Sequence, residues 1–174
     1  MTTTKLSPGK FAMNYGIILG VTMILIAVIM YVTGMPLEGI QWPQYLYYLI
    51  FPLVIILGIK AYKAKNDGFL SLGEALKTGV AIALVSALVY VIYVLLFNYV
   101  IDPEYNTKII EVVRDQMLEN PDITEAQVDQ TIGFVEKMSD PIVGSSIWLG
   151  LSLFFGLIYS LIGGLVMKNE NIAG

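Results

Sequence analysis

The chain contains no cysteine and no histidine. Disulfides, thiolate chemistry, imidazole-held metals and Ser-His or Cys-His nucleophilic catalysis are therefore excluded by composition alone. Charge is scarce as well. Asp, Glu, Lys and Arg make up 14% of the 174 residues, against about 25% in an average soluble domain. That supply cannot clothe a soluble domain of this size. Nor is there a basic face dense enough to follow a nucleic-acid backbone. No catalytic, cofactor-binding or metal-binding set of residues stands out, and the expectation is a protein that is not an enzyme and uses no cofactor.

What the chain has instead is apolar sequence: 56% of residues are hydrophobic, and the mean hydropathy is +0.72. Charge-free runs cover 11–34, 39–59, 78–101 and 141–167. Each has the roughly 20 residues that a helix needs to cross ~30 Å of hydrocarbon. Within them the apolar residues cover all sides rather than one stripe, as lipid exposure requires. The expected fold is an all-α polytopic membrane protein: one four-helix transmembrane domain over residues 1–174, with spans at about 11–34, 42–62, 72–101 and 141–167. The first run is too long for the about 7–15-residue core of a cleaved signal peptide, and Thr2 stands where myristoylation needs glycine. Pro43 suits a first helical turn, whereas Pro52 sits mid-span and is expected to kink its helix.

Four spans place both termini on one side. Lys5, Lys10, Lys60, Lys63, Lys65, Lys77 and Lys168 lie on that side, and Lys108, Arg114 and Lys137 on the other. The positive-inside rule then predicts cytoplasmic termini. Trp42, Tyr45, Tyr47, Tyr48 and Trp148 read as an outer aromatic belt.

The segment 102–140 holds ten acids against three bases, hence a net charge of −7. Its apolar residues are nonetheless periodic: Tyr105, Ile109, Val112, Val113 and Met117 recur at helical spacing, as do Val128, Ile132, Val135 and Met138. Asp102-Pro103-Glu104 reads as a cap with a first-turn proline, Asn120-Pro121 as a break, and Thr124 with Gln127 as a capping box. These signals predict an extracytoplasmic helical hairpin between spans three and four. Its helices fall at about 104–119 and 125–138 and pack through Ile109, Val113, Met117, Val128, Ile132 and Val135. The acids form no calcium-type loop, and whether they bind metal stays open.

Asn66-Asp67-Gly68 signals a turn, and Ser71 with Glu74 spells a second capping box at the start of the third span, with Lys77 in the next turn. Ser71, Glu74 and Lys77 thus read as helix-cap chemistry, with an interfacial ion or proton site as the alternative. The stretch from Asn66 to Gly79 resembles the segment before the third span in a family of small four-span bacterial membrane proteins of unknown function. The resemblance covers nearly the whole layout. It implies the inner membrane of Gram-negative bacteria, no established activity and no catalytic residues to transfer.

Small residues repeat every fourth position: Ala12, Gly16 and Gly20; Ala75, Gly79, Ala83 and Ala87; Ser152, Gly156, Ser160 and Gly164. Such strips let backbones approach closely, so spans one, three and four are expected to pack tightly with the second more peripheral. No Asp, Glu, Lys, Arg or His lies inside the charge-free runs, which counts against a proton-coupled transporter. The leading functional expectation is a structural or accessory subunit that uses its acidic hairpin for interaction. The alternatives are a small oligomeric transporter or channel for a neutral substrate, and a membrane accessory of an envelope lipid or glycan glycosyltransferase. The expected partners are the lipid bilayer and either a membrane or periplasmic protein or further copies of the chain, with no nucleic acid.

Overall fold

The computed structural model describes residues 7–40 and 42–170. Thr2 and Lys5, used above for lipidation and charge balance, lie outside them.

The first helix, α1 (Pro8–Thr33), starts on a proline and ends at Gly34. There φ is 69°, and the glycine N–H turns back to donate to the Tyr31 carbonyl. A left-handed residue closes a helix in this way, and glycine adopts it without a Cβ clash. Two 3₁₀ turns, Met35–Glu38 and Trp42–Tyr45, lead into α2 (Leu46–Lys65). That helix runs through Pro52 without a break and ends at a turn where Asp67 and Gly68 take positive φ. After it comes α3 (Leu72–Leu96), whose last turn widens into a π-helical turn, Phe97–Ile101. Two shorter helices, α4 (Tyr105–Leu118) and α5 (Glu125–Ser139), precede α6 (Pro141–Met167). Asp140 caps α6 by accepting from the backbone N–H groups of Ile142 and Val143.

Among the described residues four stretches are long and apolar enough to cross a membrane: Pro8–Thr33, Trp42–Lys65, Leu72–Ile101 and Pro141–Met167. Their outward faces carry exposed aliphatic side chains such as Ile18, Val32, Ile92 and Val166, a surface that suits lipid. The second runs past residue 62 because its lysines find places for their long stems. Lys63 Nζ donates to the Met167 carbonyl at 2.7 Å, and the Lys65 ammonium lies 5.6 Å from the Phe11 ring centroid.

The centre of the bundle is α3. One of its faces receives α1: Val85 and Val89 fill the hollows left by Gly16 and Gly20, where a Cβ would stand 2.6 Å and 2.7 Å from the two valines. Another face receives α6, where Gly156 sits on Ala83, Gly164 on Leu72 and Ala75, and Ser160 on Gly79. The expected mutual packing of three small strips therefore holds for α3 and α6. The strip on α1 takes valines instead, because the small strip of α3 is already occupied by α6. Every member of the three strips is buried. The fourth helix, α2, lacks such a strip but is not idle. It lies against α1, α3 and α6 and places Phe51, Ile55, Ile59 and Tyr62 in the core, with Gly58 passing close to Ile82 and Tyr15.

Candidate functional site

The two ends of the bundle differ in chemistry. At the end carrying α2's last turn, the stretch from Asn66 to Gly79 builds a closure. Ser71 accepts from the Glu74 backbone N–H, and Glu74 accepts in return from the Ser71 backbone, so the capping box is complete. The Tyr62 hydroxyl donates to Glu74 Oε1 at 3.4 Å. Leu70 and Asn169 exchange two backbone hydrogen bonds of 2.9 Å, tying this loop to the chain leaving α6. Lys77 stays exposed, away from the box. Ser71 and Glu74 are thus accounted for by structure: the segment ends α2, starts α3 and is tied to the chain leaving α6.

At the other end lie α4 and α5. They pack against each other, α4 also resting on the turn after α1 and α5 on the start of α6. Val128 and Ile132 are buried, while Ile109, Val113, Met117 and Val135 are half-buried. Arg114 reaches Asp129 across the pair at 2.7 Å, and the Thr124–Gln127 capping box starts α5. Asn106 Nδ2 donates to the Ser139 carbonyl at 2.9 Å, which fixes the base of the pair. Gln116 lies so close over Gly39 that a Cβ there would overlap its side-chain amide.

The role read for Asp102 needs correction. No side chain caps α4, whose N-cap position is Glu104. The π-helical turn carries α3 through Ile101, and the Asp102 N–H still bonds back to the Phe97 carbonyl. Asp102 therefore belongs to the end of α3 and not to the start of α4. Its carboxylate accepts from the Tyr31 hydroxyl at 3.2 Å and from Lys108 Nζ at 3.4 Å, so one acid joins α1, α3 and α4. Tyr31, Phe97 and Tyr105 stack edge to face around it, with centroids 4.9–5.4 Å apart. Burial, then the neighbouring Tyr93, Tyr31 and Asp102, push the Tyr105 phenol up from its ordinary range, so it keeps its proton. Local spacing gave no hint of this knot, since its partners are far apart in the chain.

The aromatic belt is also partly reassigned. Tyr45 and Tyr48 are exposed at the bundle surface. Trp148 instead turns inward between Tyr47 at 4.8 Å and Tyr90 at 5.4 Å, bridging α2 and α3 from α6.

Beneath the α4–α5 pair the ends of α1, α3 and α6 leave a cavity of about 270 Å³, with Tyr31, Tyr90, Tyr93 and Tyr105 among its walls. It shares Asn98, Asn106, Ser139, Asp140 and Pro141 with a wider cleft of about 670 Å³. Among the described residues no group of three metal-ligating side chains converges.

The family model described as "Protein of unknown function (DUF4199)" matches residues 14–169. The chain belongs to this family. Those residues span all four apolar helices and both short ones, as well as the Asn66–Gly79 segment on which the resemblance rested. No curated protein and no solved structure matches the chain.

Proposed function

We propose that this DUF4199 protein is a non-catalytic accessory subunit of the bacterial inner membrane, and that a partner meets the outward face of its α4–α5 hairpin on the extracytoplasmic side. The observation that carries this reading is Phe134. It is 63% exposed on a helix whose Val128 and Ile132 are buried and whose Val135 and Met138 are half-buried. An exposed aromatic ring on a folded, acidic element is the kind of residue that anchors an interface. The surrounding net charge of −7 selects a partner with a basic surface. The seven-to-three division of Lys and Arg supports cytoplasmic termini and an outer hairpin.

A polar conduit through the monomer is less well supported. Thr78, Ser86 and Ser160 lie in the helix seams, but each hydroxyl donates to a carbonyl of its own helix. The seams are closed packing.

The test is affinity purification of the full chain from native membranes in mild detergent, beside two variants: Phe134→Asp, and one with residues 104–138 replaced by a short Gly/Ser linker. A stoichiometric partner retained by the full chain and lost by both variants is the expected result. Retention by the shortened variant would place the interface in the spans or the cytoplasmic loop instead.

A further inference from the structure

The lysines at the α2 end of the bundle lack counter-charges within the protein. Among the described residues that end carries Lys10, Lys60, Lys63, Lys65, Lys77 and Lys168 against Asp67, Glu74 and Glu170. The three acids gather in a cleft of about 470 Å³ between the 66–71 turn and the chain leaving α6, and none of these lysines lines it. The ion pairs among the described residues all lie at the other end, where Lys108 meets Asp102 and Glu104, and Arg114 meets Asp129. The ammonium groups of this end are therefore left to find their anions outside the chain.

Three of the lysines converge on one seam. Gly163 of α6 lies against Ile56 and Ile59 of α2. Lys60 and Lys63 follow those isoleucines at i+4, so they continue the same face of α2. Lys63 is half-buried, and its Nζ donates at 2.7 Å to the carbonyl of Met167, the residue before Lys168. That bond fixes one ammonium over the end of α6 and leaves two of its three N–H groups to spare. Lys60 and Lys168 are exposed.

Depth narrows the class of anion. Lys60 directly follows the charge-free run 39–59 and lies within the apolar stretch Trp42–Lys65. An exposed lysine at that depth extends its charge to the headgroup layer and leaves its stem in hydrocarbon. Basic residues gathered between helices at such a boundary suit anionic headgroups. On α6, Ile162 and Val166 are 51% and 81% exposed one turn apart, an apolar track that runs up to Lys168. A soluble anion gains the charge alone, whereas a phospholipid gains the charge and the apolar contact.

We propose that this end of the α2–α6 seam binds one anionic phospholipid. Its phosphate is held by Lys60, Lys63 and Lys168, and its acyl chains lie along Ile162 and Val166. The site is at the opposite end of the bundle from the hairpin and works on whichever side of the membrane that end lies, so it stands or falls independently of the partner surface.

Native mass spectrometry of the full chain in neutral maltoside micelles tests it by counting adducts. The probes are dioleoyl phosphatidylglycerol, dioleoyl phosphatidylcholine and soluble glycerol phosphate. The first two share their tails, and the third carries the phosphate without them. A saturable 1:1 adduct of phosphatidylglycerol, at least about tenfold tighter than phosphatidylcholine, is expected from a contribution of about fivefold per lysine, with no adduct of glycerol phosphate at the same concentration. The double variant Lys60→Gln, Lys168→Gln changes only exposed side chains and leaves the Lys63 bond in place. It is expected to weaken phosphatidylglycerol by about tenfold or more and leave phosphatidylcholine unchanged. The control Lys10→Gln, Lys77→Gln removes the same charge from α1 and α3, away from this seam, and is expected to change either lipid by less than about twofold. Should the first double variant fail to fold, Lys60→Gln alone decides by a loss of about fivefold. Equal affinity for the two lipids, a loss in the control as large as in the seam variant, or glycerol phosphate binding as tightly as the lipid would overturn the proposal.

Discussion

Single residues set how closely the helices approach. A Cβ at Gly79 would overlap Ser160 Oγ and one at Gly156 would overlap Ala83, whereas Gly150 on the same α6 has open space around it. Gly79→Leu and Gly156→Leu are each expected to cost about 1–3 kcal/mol through overpacking, read as a lowered thermal transition in detergent. Gly150→Leu is expected to stay within about 0.5 kcal/mol of the parent. Ser71→Ala removes the acceptor at the start of α3 and is expected to cost about 1 kcal/mol in the same measurement. These positions were legible in the sequence, because small residues every four positions and Ser-x-x-Glu are local patterns. Asp102 was not. Asp-Pro-Glu has the spelling of a helix start, yet the π-helical turn before it keeps Asp102 with α3, and its partner Tyr31 is 71 residues away. Spacing along the chain carries no information about such a contact.

Among the elements, α4 and α5 were easiest to read, since a polar helix with one apolar stripe announces both its period and its buried face. The structure places their bounds at Tyr105–Leu118 and Glu125–Ser139, within a residue or so of the spacing-based limits. The long helices behave differently. Each is apolar on every side, so composition marks the span but not the face it buries. That is why the match between α1's glycines and α3's valines emerged only in three dimensions. The same reasoning ranks the forces that hold the hairpin. Ile132 is 5% exposed, and Ile132→Ala is expected to cost about 2–5 kcal/mol. The cost should be seen as faster amide exchange confined to α4 and α5. The Arg114–Asp129 pair is short but has side chains 45% and 64% exposed. Arg114→Ala is expected to cost under about 1 kcal/mol and to lose even that in high salt. A larger effect for Arg114 than for Ile132 would mean that charge, not burial, holds the pair.

At the scale of the molecule, α3 is the axis, α1 and α6 pack on it through small residues, and α2 closes the bundle. One end is fastened by the capped loop and its bridge to Asn169, and the other is roofed by an acidic pair of helices over a tyrosine-lined cavity. The proposed function needs those ends to lie on opposite sides of the membrane, with the roof outside. The chain lacks cysteine, so a single introduced thiol reports its own position without background. Lys65→Cys and Asp122→Cys, both at exposed positions, are to be treated in intact spheroplasts with a membrane-impermeant maleimide. Asp122→Cys is expected to label at once, and Lys65→Cys only after the membrane is permeabilised. Labelling of both from the same side, or of Lys65→Cys alone in intact cells, would contradict the four-span arrangement with an outer hairpin.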